Sequence, residues 1–467
     1  MYESRSTLAH RIDEACGRED GALGLWRGPL IHFYSERMSK DAGPPSKESS
    51  QPIRLADLGP GFLTGVADDD PSNIATYSQV GARFGYQLVW TLWAFYPLVA
   101  AIQEISAQMA RVTGQGLAEI LRDHYPRWLC YFLVGTLIGA NIVNIGADLM
   151  AMGGATRLLV GGHRLVYAAG FFVLIMLLEV FVRYQRYARV LEVLSLALLA
   201  YVATAFSVHV DWHQALLGLK PTLLPGHHFA MALVAIAGTT ISPYLLFWQA
   251  GQEAEIEQRD PHQSPLLHKP RQALREFRRI RIDTYIGMGL SQVIALFITL
   301  TAAATLGVHG VRHVGTASQA ASALAPLAGH WTFEVFTAGL VATGLLAIPA
   351  MAGACAYALA GTLRWRQGLS AKARDAPRFY LVIALVGFAG LGLALLGMNS
   401  MRALYLSAVL NGIVAAPILV AMMVLARRRS VMGSFIVSGR PLVIGWLATL
   451  VMMAAALMLI GDWIAGA

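Results

Sequence analysis

What most limits this chain is a series of eleven apolar runs, each close to the ~20 residues that a helix needs to cross the hydrocarbon core of a bilayer. They fall near 57-82, 85-110, 128-156, 165-182, 190-208, 228-250, 282-307, 332-360, 379-397, 403-425 and 441-464. A water-soluble fold has no interior large enough to hide them all. Composition agrees: 56% of the 467 residues are hydrophobic and 14% are charged, with a mean hydropathy of +0.53, whereas soluble domains carry about 25% charged residues. The pattern predicts an all-α membrane protein whose solvent is the lipid bilayer.

The basic residues set its orientation. All but six of the 36 Lys and Arg side chains lie in 1-54, 111-127, 183-189, 251-281, 361-378 and 426-440, segments that alternate crossings place on one side. The exceptions are Arg83, Arg157, Arg164, Lys220, Arg312 and Arg402. Cytoplasmic loops collect Lys and Arg, so a multi-pass protein of the plasma membrane is predicted, with its N-terminus cytoplasmic and its C-terminus extracellular or periplasmic. The formal net charge of +8 then belongs to the membrane rim, and no nucleic-acid partner is implied. Residues 1-54 read as a cytoplasmic extension, partly disordered, without the basic-apolar-small pattern of a cleaved signal. Cys16, Cys130 and Cys355 lack paired spacing and read as free thiols. Segment 251-281 is the longest cytoplasmic loop; its basic, helix-like end, Arg271 to Arg281, is expected to be a solvated positive-inside segment, with binding of acidic headgroups as the alternative.

Two runs carry a proline among polar residues at their middle: GPGFLTGVADDDPSNIATYSQVG around Pro71, and IAGTTISPYLLFWQ around Pro243. Proline removes a backbone donor and clashes with the preceding turn. Non-helical backbone at membrane depth survives only inside protein or along a cavity. The interrupted runs are the first and the sixth, equivalent members of two five-span halves, 55-208 and 209-425, with 426-467 holding an eleventh span. Broken segments in matching positions point to the midplane substrate site of an inverted-repeat transporter. A kink alone often means only a bend. Three consecutive aspartates are not needed for bending, since each costs about 2.5–3.5 kcal/mol at a helix centre. Freed carbonyls and the Asp70 carboxylate together describe a cation site, with Asp68 and Asp69 facing a vestibule, binding waters of the ion or capping the broken half-helix.

Other polar residues lie at membrane depth. Asn141, Asn144 and Asp148 share one face of the third run at i, i+3 and i+7; a water path or helix pairing would use them, and pairing suits the two asparagines. Glu104 in the second run and Gln249, Gln252 and Glu253 below the second break are candidates for a cytoplasmic exit. Asn411 in the tenth run either approaches the site on closure or ties helices together.

PGFLTGVADDDPSN resembles the first-span signature of the NRAMP (natural-resistance-associated macrophage protein) family, which reads DPGN at its centre. GTTISPY stands where that family has A-x-x-MPH, and MARVTGQGLAEIL resembles its segment after the second span. The resemblance covers about residues 57–425. It implies a LeuT-like fold of two inverted five-helix repeats plus an eleventh helix, with helices 1 and 6 broken, and transport of divalent metal by alternating access. It also implies the ligand set: the carboxylate of Asp70, Asn73, and the carbonyls of Ala67 and Thr239. Ser242 takes the place of the family's methionine thioether, and Tyr244 that of its histidine. In the third span an aspartate is kept at Asp148, while Ala151 stands where proton-coupled members have a glutamate.

These departures bear on ion choice. Thioethers suit later transition metals, whereas carboxylate, carbonyl, hydroxyl and water suit magnesium, calcium and manganese. Magnesium keeps several waters when protein-bound, so a wider, all-oxygen site points to partly hydrated Mg2+ and to the magnesium-transporting branch. Asn73 keeps Mn2+ in play. With the glutamate and histidine missing, proton coupling is expected to be absent. No cofactor and no catalytic residue are expected, and a monomer suffices. The alternatives are a proton-coupled Mn2+/Fe2+ carrier of the same family, an organic-substrate carrier whose carboxylate the aspartates would repel, a passive channel, and an aspartyl hydrolase using Asp70 and Asp148. The last lacks a second aspartate motif.

Overall fold

The computed structural model describes residues 59–182, 198–222, 227–259, 263–369, 373–396 and 399–464. The N-terminal extension and the first part of the fifth run lie outside these residues. The first run is split into α1 (Pro60–Asp68) and α2 (Pro71–Phe84). Then come α3 (Val89–Thr113), the short α4 (Leu117–His124), α5 (Arg127–Val160), α6 (Arg164–Phe181) and α7 (Leu199–Ser207). The sixth run is split like the first, into α8 (His227–Thr240) and α9 (Pro243–Arg259). It is followed by α10 (Ala273–Ala302), α11 (Thr332–Leu363), α12 (Pro377–Ala394), α13 (Ser400–Ala426) and α14 (Arg440–Ile464). Among the described residues, eight helical stretches are long and apolar enough to cross a membrane. The second run falls short on composition, because α3 carries Gln103, Glu104, Gln108 and Arg111.

The long α5 packs against α6, α11, α12 and α13. The broken helices find equivalent supports: α1 lies on α10, and α8 lies on α13. Both crossings need glycine. A Cβ on Gly65 would sit 2.1 Å from the carbonyl carbon of Gly287, and one on Gly238 would sit 2.0 Å from the carbonyl oxygen of Ala408. Backbones this close leave no space for any side chain. On the outside, α6 and α14 expose Leu174, Leu177, Leu447 and Leu450, an apolar face suited to hydrocarbon.

Much of the segment 251-281, expected as a cytoplasmic loop with a helix-like basic end, is helix, because α9 continues to Arg259 and α10 begins at Ala273. Buried charge pairs explain the extension. Arg111 of α3 donates to Glu257 at 2.8 Å and to Glu276 at 3.3 Å, and Arg279 pairs with Glu253 at 2.5 Å and with Asp283 at 3.4 Å. The basic stretch is therefore divided. Arg271, Arg275 and Arg278 are exposed, while Arg279 and Arg281 are held by carboxylates.

Candidate functional site

Local chemistry makes the first break. Asp70 is the residue before α2, and Pro71 opens that helix, where a missing N–H costs nothing. Asp70 Oδ1 accepts from the Asn73 backbone N–H at 2.9 Å and from Ser72 Oγ at 2.5 Å, capping the helix start. The other oxygen, Oδ2, accepts from Asn144 Nδ2 of α5 at 3.0 Å. Asn73 turns its amide back across the gap, donating to the Asp68 carbonyl at 2.5 Å. All of these side chains are buried.

The second break meets the first through hydroxyls. Thr239 Oγ1 donates to Asn73 Oδ1 at 2.5 Å and lies 3.3 Å from Ser72 Oγ. Beside it, Tyr77 and Thr240 share a hydroxyl contact of 2.6 Å. Ser242 turns away, donating to the carbonyls of Gly238 at 3.1 Å or Thr239 at 3.0 Å, so its hydroxyl serves the unpaired end of α8. Tyr244 donates to the Ala67 carbonyl at 3.0 Å. Of the carbonyls expected to face an ion, that of Ala67 thus already accepts one hydrogen bond, and that of Thr239 shares the Ser242 hydroxyl with Gly238. A carbonyl has two lone pairs, and one remains on each.

The remaining candidates divide into those near this centre and those away from it. Asp68 and Asp69 lean toward α10, where Ser291 Oγ lies 2.9 Å from a carboxylate oxygen of each. Asp148 is fully buried on α5, and neither of its oxygens has a hydrogen-bond partner. Asn411 on α13 is equally buried, with both amide atoms unpartnered. Glu104 and Gln249 belong elsewhere: Glu104 pairs with Arg281 at 2.9 Å and accepts from Gln108, and Gln249 donates to Thr284 at 2.8 Å. Among the described residues no three His, Cys, Asp or Glu side chains converge as metal ligands. An ion at the breaks would therefore rest on one carboxylate, amides, hydroxyls and carbonyls. Sequence reasoning left Ser72 and Ser291 without a role and assigned Asn144 to helix pairing.

Two helices interrupted at matching places, meeting over a single capping aspartate, is the geometry to compare with known proteins. The profile of "Natural resistance-associated macrophage protein-like" proteins matches residues 61–462. The chain belongs to the NRAMP family. It is accordingly a polytopic membrane transporter and not an enzyme. An NRAMP relative named "Divalent metal cation transporter MntH", from Klebsiella pneumoniae (strain 342), is 28% identical over 424 residues, spanning 88% of this chain and 94% of its own. A crystal structure of the Eremococcus coleocola manganese transporter with an aromatic bis-isothiourea compound superimposes with a TM-score of 0.68 at 20% identity, covering 89% of this chain and 90% of the other. MhsT in complex with L-phenylalanine gives a TM-score of 0.55 at 14% identity over 88% of this chain and 100% of its own. The NRAMP chain therefore has the LeuT-like fold expected for it.

Proposed function

We propose that the cargo is a divalent metal ion, Mg2+ or Mn2+, carried by alternating access and without proton coupling. One observation supports this most: a buried carboxylate at the meeting of the two breaks, Asp70, caps α2 with one oxygen and with the other accepts from Asn144 of α5, among amide and hydroxyl groups from both breaks. Hard oxygen donors of this kind suit both ions, and relatives named for divalent metal transport favour the same cargo. Uncoupled transport is supported by Ala151 in the third span, which has no proton to give, and by Tyr244, whose hydroxyl is spent on the Ala67 carbonyl. An inside-negative potential contributes about 2.3 kcal/mol per charge per 100 mV, which suffices to drive uptake. The test is uptake into proteoliposomes carrying a pH dye. Metal entry should rise with an inside-negative potential while lumenal pH stays constant. Acidification that follows metal entry would instead support the proton-coupled carrier.

A further inference from the structure

The family's thioether position is lost at Ser242, yet a sulfur stands beside Asp70 by another route. Asn144 donates through Nδ2 both to Asp70 Oδ2 at 3.0 Å and to Met351 Sδ of α11 at 2.9 Å. One NH2 group therefore joins a carboxylate oxygen to a thioether. Both Asn144 and Met351 are fully buried.

The far side of the same amide is built to tolerate its reversal. Ser407 Oγ lies 2.6 Å from Asn144 Oδ1 and 2.7 Å from the Leu404 carbonyl. Its single hydrogen serves one of these at a time. Turning the amide over has little torsional cost, because the terminal torsion of asparagine is broad and close to two-fold. Nδ2 would then donate to Ser407, and Ser407 would donate to Leu404, so nothing is lost on that side. On the other side Oδ1 would face a carboxylate oxygen and a sulfur. Three acceptors without a hydrogen are satisfied by a cation and by little else.

We propose that Asn144 and Met351 are ligands of the transported ion, with the turned amide giving Oδ1, the thioether giving Sδ and Asp70 giving Oδ2. This rests on the Asp70 reading and deepens it. It names the cargo as a divalent ion that accepts a sulfur ligand, which favours manganese or a later transition ion over magnesium. A second sulfur lies close by and must be separated from the first: one turn along, Asn141 Nδ2 approaches Cys355 Sγ at 3.1 Å.

The test uses the full chain in lipid nanodiscs, titrated with Cd2+ as the sulfur-seeking probe and with Mg2+. Met351→Leu keeps the volume and removes the sulfur. It is expected to weaken Cd2+ binding about tenfold or more while Mg2+ affinity shifts less than about twofold. Retained Mg2+ binding also reports that the variant is folded. Cadmium X-ray absorption should find a sulfur neighbour in the native protein and in Cys355→Ser, and none in Met351→Leu. Equal loss of both ions in Met351→Leu, unchanged Cd2+ binding, or a sulfur neighbour that vanishes in Cys355→Ser overturns the proposal. Asp70→Asn separates the two levels. If it leaves binding of both ions intact, the Asp70 reading itself fails; if it abolishes binding while Met351→Leu does nothing, only the sulfur assignment fails.

Discussion

The two breaks occupy equivalent places in the two halves, yet they use their polar residues in opposite directions. At the first, Asp70 reaches forward and caps the helix that follows. At the second, Ser242 reaches backward and serves the carbonyls of the helix that precedes it. The first break supplies carboxylates, and the second supplies hydroxyls. The lesson is that structural repetition fixes where a chain comes undone, while the residue at the cap decides which backbone groups are consumed and which face the centre. Charge enters this site from one half alone.

Substitutions at matching places can break that contrast or sharpen it. The largest effect is expected from Asp70→Asn. A buried ionic contact is worth about 2–5 kcal/mol, so metal uptake in proteoliposomes should fall at least about 30-fold. Uptake close to the native rate would put the decisive charge at another residue and remove the asymmetry. A smaller effect belongs to Thr239→Val, which preserves shape and deletes the hydroxyl that joins the breaks. The loss of about 1 kcal/mol expected for one hydrogen bond should appear as a fivefold weaker metal affinity, to within a factor of about two. Smallest is Ser242→Ala: its hydroxyl faces its own helix, so calorimetric affinity should change less than about twofold. A loss approaching tenfold, which is about 1.4 kcal/mol, would mean that this hydroxyl turns toward the ion after all.

Much of this was legible because the signals are local. Proline beside Asp or Ser marks a break wherever it occurs, and apolar runs mark spans; α5, expected over 128-156, occupies Arg127–Val160, and α14, expected over 441-464, occupies Arg440–Ile464. The partners across the bundle were not legible. Asn144 lies 74 residues from Asp70 and 207 from Met351, and nothing near it in the chain distinguishes it from an asparagine that ties helices together. Met351 is one of 17 methionines, and only tertiary packing singles it out. The acidic triplet was readable as a site, but the division of labour within it was not. Asp68 and Asp69 turn to Ser291, which is more than 200 residues away. In the basic stretch, the partner that was not legible for Arg279 is Glu253 of the neighbouring α9, while Asp283 lies one turn along its own helix.

That arginine has a mechanical consequence. The backbone N–H of Gly59, at the start of α1, donates to Asp283 at 3.1 Å, and Asp283 shares Arg279 with Glu253 of α9. The two attachments at this joint are unequal. Freeing α9 would strand a charge, a penalty of about 3–5 kcal/mol for a buried pair, whereas freeing the start of α1 breaks a hydrogen bond from a neutral donor, worth about 1 kcal/mol, and leaves every ion pair intact. At this end of the molecule the second half is riveted by charge, and the first is merely latched.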